Sequence, residues 1–582
     1  MGLPLSTPIV FNVWLPGLVR LAEMRSWLVL LSSAVFAASA CSTDSNSSNG
    51  ALETTGGGGA PDGEGAGGGR ATTGGSKATA SSGGSSSSGG SPSSGGSPSS
   101  GGHGPGAGSP GSAGTAGEPQ AGRGSGGEPA SAANCSGSGF DPGGFDTVYE
   151  VGPGLDYETP SDVPWESVAA NSLVRVHYRA EPYRDKWVIN STGTGSRPIV
   201  VLGVPDDGRL PVISGAGATT RSALDFWNEE RGIIKVGGAN VPEGPAASVA
   251  ILCLDIRDAR PGIEFTASDG STQEYAQNAA CVYLEEGTAI HVVASEIHGC
   301  GNGIFSSSGT SDVQIAQNHV YDNGNPGSAY EHNSYTESLG ITFEANHYGP
   351  LCDGCDGNNL KDRSAGTVIR YNWIDAGNRQ LDLVETDHDE FVADPRYATT
   401  WVYGNILVEP DGAGNSQILH YGGDGDDPGR YRKGTLYFYG NTVVSTRNGN
   451  TTLFRLSTSE ESALVSNNAI SVSANASSLA IFSGEGQIEL ASNWLPAGWV
   501  ESHDDVTGSI DASDNVEGAD PGFSDAARQD FTPREGSPLI DGGAALPEVL
   551  RGEPLESQYV KHQSYEVRPA SGALDIGAFE RP

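Results

Sequence analysis

An eight-residue pattern recurs at fixed phase along the second half of the chain, and it limits the fold more than any other feature. It reads apolar, x, apolar, x, x, Asn, x, apolar, with the first slot loosely Thr or apolar. TVIRYNWI (Asn372) is the clearest copy, joined by VQIAQNHV (Asn318), ITFEANHY (Asn346), TWVYGNIL (Asn405), LYFYGNTV (Asn441), ALVSNNAI (Asn468) and IELASNWL (Asn493). A weaker copy, IHVVASEI, puts Ser295 in the Asn slot. Successive copies are 23 to 36 residues apart, the spacing of a repeat architecture. The apolar alternation describes short strands, and the Gly, Asn and Asp between them supply turns. One short strand cannot bury its inner face, so the coils must stack, each strand pairing in parallel with its counterpart one coil away. The Asn then falls at an inward bend, where its amide bonds its equivalents above and below and satisfies backbone groups that the bend exposes.

This pattern resembles the right-handed parallel β-helix of the pectate-lyase-like superfamily, an all-β solenoid. The resemblance runs at least from Ile290 to Leu495. The fold hosts lyases, hydrolases, epimerases, adhesins and inert spikes, so activity has to be argued from particular side chains.

Four segments are expected. Arg25 and Ser26 precede the apolar run WLVLLSSAVFA and Ala-Ser-Ala before Cys41, the layout of a secretory signal too short to remain as a membrane span. Cysteine at this place resembles a bacterial lipobox, with Ala38 where Leu is commoner, and implies lipidation of Cys41 and anchoring to the outer membrane or cell surface. Met24 is a plausible start, as is Met1. Residues 42–134 are Gly, Ser, Ala and Pro with almost no large apolar side chains, so they form a disordered tether. Residues 135–510 form the β-helix with an N-terminal cap, whose opening VYEVGPGLDY resembles the first coil of exported β-helix proteins; Pro164 to Ala170 is a candidate capping helix. Residues 511–582 pair DPGF, DFTP and GSPLIDGG with a terminal DIGAFE and resemble the choice-of-anchor Q segment of bacterial surface proteins, which implies closure of the helix.

The formal net charge is −39, and the tether holds few charges, so most of the acidity sits on the folded part. Nucleic acid is thereby excluded as an expected partner. A polyanionic glycan would need a local basic patch or a metal. Apart from Cys41 there are six cysteines, an even number that in an exported chain suggests disulfides. Cys352 with Cys355, in CDGC, reads as a loop staple because no second CxxC or paired His supports zinc. Cys281 with Cys300 is the next expected pair, and a monomer is expected.

Chemistry is expected where polar residues crowd between rungs, from His332 to His388: HNSYTE, CDGCDGNNLKDRS and LDLVETDH. The two widest rung spacings follow directly, so loops project there from a rigid stack. NNLKDRSAGTVIRYN resembles the stretch of the alginate lyase and chondroitinase B family in which a Lys just before an Asn-ladder strand is the Brønsted base. The resemblance implies that Lys361 takes the C5 proton of a uronate while positive charge or a metal acidifies that proton. Arg363 or His332 would assist. The sequence departs on the next strand, where the family carries an Arg and this chain has Asp382 and Glu385. The family's calcium ligands fall near Asp353 and Asp356, so calcium is an expected cofactor. Residues one coil apart lie about 4.8 Å from each other. Tyr335, Glu337, Arg379 and His388 are therefore candidate substrate-binding residues. Asp424, Asp426 and Asp427 could bind calcium through oxygen or form a solvated loop.

The leading expectation is a lyase-like enzyme acting on a uronate-containing polysaccharide by β-elimination. The alternatives are a glycoside hydrolase using Asp382 and Glu385, a surface protein that only binds glycan, and a structural role in which Lys361 and Arg363 neutralise those two carboxylates. Deleting the residues between Ser42 and Ala133 is expected to leave the melting of the domain unchanged; a cooperative loss of stability on deletion would contradict their reading as a tether.

Overall fold

The structure is a computed structural model and describes Cys135 and residues 144–582. The signal with Cys41 and the tether at 42–134 lie outside the described residues. Each coil is built of three short strands joined by bends. One coil runs through Ser334–Thr336, Ser338–Glu344 and His347–Tyr348, and the next through Leu360–Asp362, Ala365–Arg370 and Trp373–Asp375. The two coils pair in parallel with Tyr335 opposite Lys361, Phe343 opposite Ile369 and Tyr348 opposite Ile374. Three parallel faces result: a front sheet carrying Tyr335 and Lys361 and a second sheet carrying the strand before each Asn, which run together as one 24-stranded sheet through the long strands Ala280–Val293 and Asn302–Ala316, and a third, separate sheet of 11 strands. The fold is a parallel β-helix, as the repeat implied. Every second side chain points inward, and Leu360, Leu381, Leu419 and Phe454 follow one another in register as fully buried residues of one continuous core.

The Asn rungs form the expected ladder. Asn372 Oδ1 accepts from the backbone N and Nδ2 of Asn346, both at 2.9 Å. Its own Nδ2 donates to Asn405 Oδ1, Phe343 O and Arg370 O, each at 3.0 Å. Ser295 belongs to the series, its N–H donating to Asn318 Oδ1 at 3.0 Å. The residue before each rung takes a left-handed conformation: Gln317, Ala345, Tyr371, Asn467 and Ser492 have φ between 54° and 59°, where L side chains are disfavoured. The ladder bonds offset that cost at every turn. A further rung, Asn515, accepts from Asn493 N and Nδ2, and the coil carries on through Val516–Gly518, beyond the expected boundary at residue 510.

Both ends differ from expectation. The stretch from Pro164 to Ala170 holds a single 3-10 turn, Trp165–Ser167, in place of a capping helix; Trp165 is buried there, stacked on Trp187 at 5.1 Å. The C-terminal segment lies along the side of the stack. Phe523, Phe531, Leu539, Tyr559 and Ile576 pack over Trp373, Ile406, Val408, Val444 and Trp494. The reason is compositional: these residues of the third sheet are large and apolar, and a solvated face there would be costly. Cys281–Cys300 and Cys352–Cys355 are disulfides as expected, and Cys135 pairs with Cys253. No helix among the described residues is long and apolar enough to cross a membrane.

Asn372→Ala removes three donated bonds and leaves Asn346 without its acceptor. It is expected to destabilise the domain by about 1 to 3 kcal/mol, read as a lowered urea midpoint. An unchanged midpoint would contradict the structural role of the ladder.

Candidate functional site

The coil register brings residues of HNSYTE, NNLKDRS and LDLVETDH onto one outward side of the front sheet. Along it Phe305, Tyr335, Lys361, Asp382, His420 and Arg455 occupy one column, one residue per coil. The apolar neighbours of each, such as Leu381 and Leu383 about Asp382, point inward and fix the column outward. Tyr283, Phe305 and Tyr335 meet edge to face at 5.5 and 5.3 Å, an aromatic run that leads to Lys361, whose Nζ lies 5.8 Å from the Tyr335 ring.

Asp382 is the electrostatic centre. It is 1 % exposed, and its Oδ2 accepts from Asn358 Nδ2 at 2.8 Å and faces Lys361 Nζ at 3.1 Å. Its Oδ1 faces His420 Nδ1 at 3.0 Å and Arg379 Nη1 at 3.4 Å. Burial acts to raise this carboxyl, but the hydrogen bond to His420 and the charge of Lys361 overcome it and hold the group far below the usual carboxylate range. For Lys361, burial acts to lower the ammonium, yet Asp382, Asp424 and Tyr335 outweigh it and raise it. Lys361 is therefore protonated in the resting state. The charge pairing weighed from the sequence is present, with Arg363 Nη2 3.8 Å from Glu385 Oε1 and Arg363 Nη1 2.5 Å from Asp387 Oδ2.

His332 is buried beside this centre. Its Nδ1 accepts from Asn358 N at 2.9 Å, and its ring meets that of Tyr335 edge to face at 5.2 Å. Burial, helped by the charge of Lys361, pushes its imidazole down to about 3, so it is neutral and orients Asn358. Glu337 accepts from Thr386 Oγ1 at 2.5 Å and lies 3.7 Å from His388 Nε2. Arg379 also donates to Gln417 Oε1 at 2.9 Å.

The two insertions expected from the wide rung spacings flank the column and bind one another. Tyr397 Oη donates to Arg430 O at 3.0 Å, Arg430 Nη2 lies 2.9 Å from Asp389 Oδ1, and Asp424 N donates to Glu385 Oε2 at 3.1 Å. Beneath them Arg432 and Asp362, both fully buried, form an ion pair at 3.2 Å. Asp362 also accepts from Thr336, Ser364 and Thr367 hydroxyls at 2.6 to 2.8 Å, so this buried charge is saturated.

Sequence reasoning missed His420, Ser457 and Arg455. His420 Nε2 lies 2.8 Å from Ser457 Oγ while Nδ1 faces Asp382. Arg455 sits opposite His420 in register, and its buried Nε has no hydrogen-bond partner among the described residues. The signal available was the spacing of LHYGG and RLSTS from LDLVE, once the insertions are discounted.

Asp353 and Asp356 are exposed on the disulfide loop. Two groups among the described residues bring three ligand-type atoms within 4.8 Å, Asp382–His420–Asp424 and Asp255–Glu296–His298, and neither contains them. The first group does not suit calcium: it includes an imidazole, and the oxygens of Asp382 are engaged by protein donors. A cleft lined by Leu464, Asn467, Ala491 and Pro547 lies on another side of the stack and holds no set of this kind.

No protein-family model and no curated protein matches the sequence. Among solved structures, pectate lyase Pel9A is similar at 12% identity and a TM-score of 0.40, with 75% of this chain and 97% of that one covered. A rhamnogalacturonan lyase is similar at 13% identity and a TM-score of 0.39, covering 65% and 91%. An alginate lyase from Paenibacillus sp. str. FPU-7 is similar at 11% identity and a TM-score of 0.38, covering 55% and 93%.

Proposed function

We propose that this chain is a carbohydrate-active β-helix enzyme that cleaves a uronate-containing polysaccharide by β-elimination on the face from Tyr335 to Arg455. One observation carries the reading: Lys361, Arg379 and Arg455 gather on one side of a chain whose net charge is −39, next to a run of aromatic rings. Cations at that place neutralise a substrate carboxylate, which is what acidifies the neighbouring C5 proton. Among the described residues no hydrogen bond engages Arg455 Nε. Lys361 is the base in this reading, and the Asp382 carboxylate is what keeps it protonated at rest. Asn358, Arg379 and His420 still satisfy Asp382 when Lys361 turns away. Without Asp382 the largest of the charges that raise the amine is gone, and burial lowers it toward a working base. A hydrolase using Asp382 as general acid is disfavoured, because a carboxyl held so far below its usual range carries no proton to donate.

The same proposal displays the domain at the outer membrane through lipidated Cys41, with 42–134 as spacer. Cys41→Ser should move the protein from the membrane to the soluble fraction; continued membrane attachment would remove the anchor. Calcium at Asp353 and Asp356 is assigned no step, and a chelator arm in the assay tests for it.

Lys361→Ala is expected to stay folded, losing about 1 to 3 kcal/mol because Asp382 retains three donors. It should lose turnover by about a hundredfold or more, measured as absorbance of unsaturated uronate products. Turnover in the wild-type protein should rise with pH, since the working form of Lys361 is deprotonated. Reducing ends without that absorbance would favour hydrolysis, binding without either would favour an adhesin, and unchanged turnover in Lys361→Ala would remove the catalytic role.

A further inference from the structure

The geometry points to a second activity: we propose that Ser457, His420 and Asp382 form a nucleophilic relay that hydrolyses O-acyl esters carried by a polysaccharide on this face. The three groups come from three successive coils. Asp382 lies in Leu381–Leu383, His420 in Gln417–Tyr421, and Ser457 directly after Thr451–Leu456. The order of contacts is the one that acyl transfer needs. Asp382 Oδ1 faces His420 Nδ1 at 3.0 Å, and His420 Nε2 faces Ser457 Oγ at 2.8 Å. An ionised carboxylate only accepts hydrogen bonds, so Nδ1 carries the proton and, in the neutral ring, Nε2 presents its lone pair to the hydroxyl.

Exposure rises only at the nucleophile. Asp382 and His420 are buried, whereas Ser457 is partly exposed at the end of its strand. Asp382 is fixed by Asn358, Lys361 and Arg379, so the imidazole is held in one orientation. Ser457 Oγ also accepts from Gly423 N at 3.1 Å and donates to Gly423 O at 2.7 Å. Rotation of the hydroxyl hydrogen away from that carbonyl delivers it to His420. Glycine is required at this lip: a Cβ on Gly422 would lie 2.7 Å from Ser457 Cβ, and one on Gly423 would lie 2.4 Å from the Tyr431 ring. Arg455, two residues before Ser457 on the same outward side, supplies the nearby positive charge that an oxyanion would need.

In the step proposed, Ser457 Oγ bonds to the acyl carbon as its proton passes to His420 Nε2, and the carbonyl oxygen becomes an oxyanion facing Arg455. Collapse breaks the bond to the sugar oxygen, which takes the proton from His420. Water then attacks the acyl-Ser457 ester, giving a proton to His420 that returns to Ser457 Oγ as the carboxylic acid leaves. Asp382 acts through His420 as a positioning residue. The inference needs a glycan on this face but does not need the face to perform β-elimination.

The test uses the full chain with acetylated acidic polysaccharide and p-nitrophenyl acetate, following acetate or nitrophenolate release, and a fluorophosphonate probe with peptide mapping. Acetate release and covalent labelling of Ser457 are expected. Both should be lost in Ser457→Ala and His420→Ala, with release falling by about a thousandfold or more. Asp382→Asn should lower kcat with KM little changed. The labelling of wild-type protein keeps the test decisive if a variant fails to fold. Folded wild-type protein that neither labels nor releases acyl groups would overturn the relay, as would release that survives Ser457→Ala or labelling at another residue. Unsaturated uronate products are read separately on the same sample, so failure of elimination is distinguished from failure of deacylation.

Discussion

The hydrogen bond from one ladder Asn to the next is the interaction on which the remaining structure depends. Each side chain ties its own bend to the coils on both sides, so adjacent coils cannot slip past each other by even one residue. A one-residue slip would turn every outward side chain of a coil inward. The ladder thus does at the back of the stack what makes a site possible at the front: it keeps Tyr335, Lys361, Asp382 and His420 in one column although they lie far apart along the chain. The left-handed residue before each rung has a cost that only a repeated, saturated set of bonds sustains.

On that scaffold the site is organised around one buried anion. Asp382 has enough donors to stay ionised while buried: Asn358 and three candidate participants, Lys361, Arg379 and His420. Removing a buried carboxylate's partners singly is less severe than removing the carboxylate, which would leave several cations facing one another. The same arrangement makes the resting state of Lys361 a protonated one, so its service as a base requires departure from Asp382. The structural and catalytic readings of this lysine describe two positions of one side chain. The two insertions beside the column, bound together through Tyr397, Arg430 and Asp389, form its wall.

The repeat was legible because its inward alternation and its Asn are dictated by packing, and packing acts on every coil alike. The neighbourhood of HNSYTE, NNLKDRS and LDLVETDH was legible for the same reason, since short coils without insertions bring such knots together. His420 and Ser457 were not, because each sits in or at the end of a strand that reads as an ordinary repeat, and the insertions before them hide the register. Asn515 was overlooked because its coil is polar and largely exposed, leaving only a faint apolar alternation around it. The side-on packing of the C-terminal segment depends on which face of Trp373, Ile406 and Trp494 lies uncovered, a fact of the third sheet that no local motif encodes.

The most direct measurement is a crystal structure of the domain soaked with a uronate oligosaccharide. The expected result is a chain of sugar rings along the column from Phe305 to Arg455, with a carboxylate within hydrogen-bonding distance of Arg455 or Arg379 and Lys361 turned away from Asp382. Density for the oligosaccharide on the second or third sheet, with the column left solvated, would contradict the assignment of this face as the functional site.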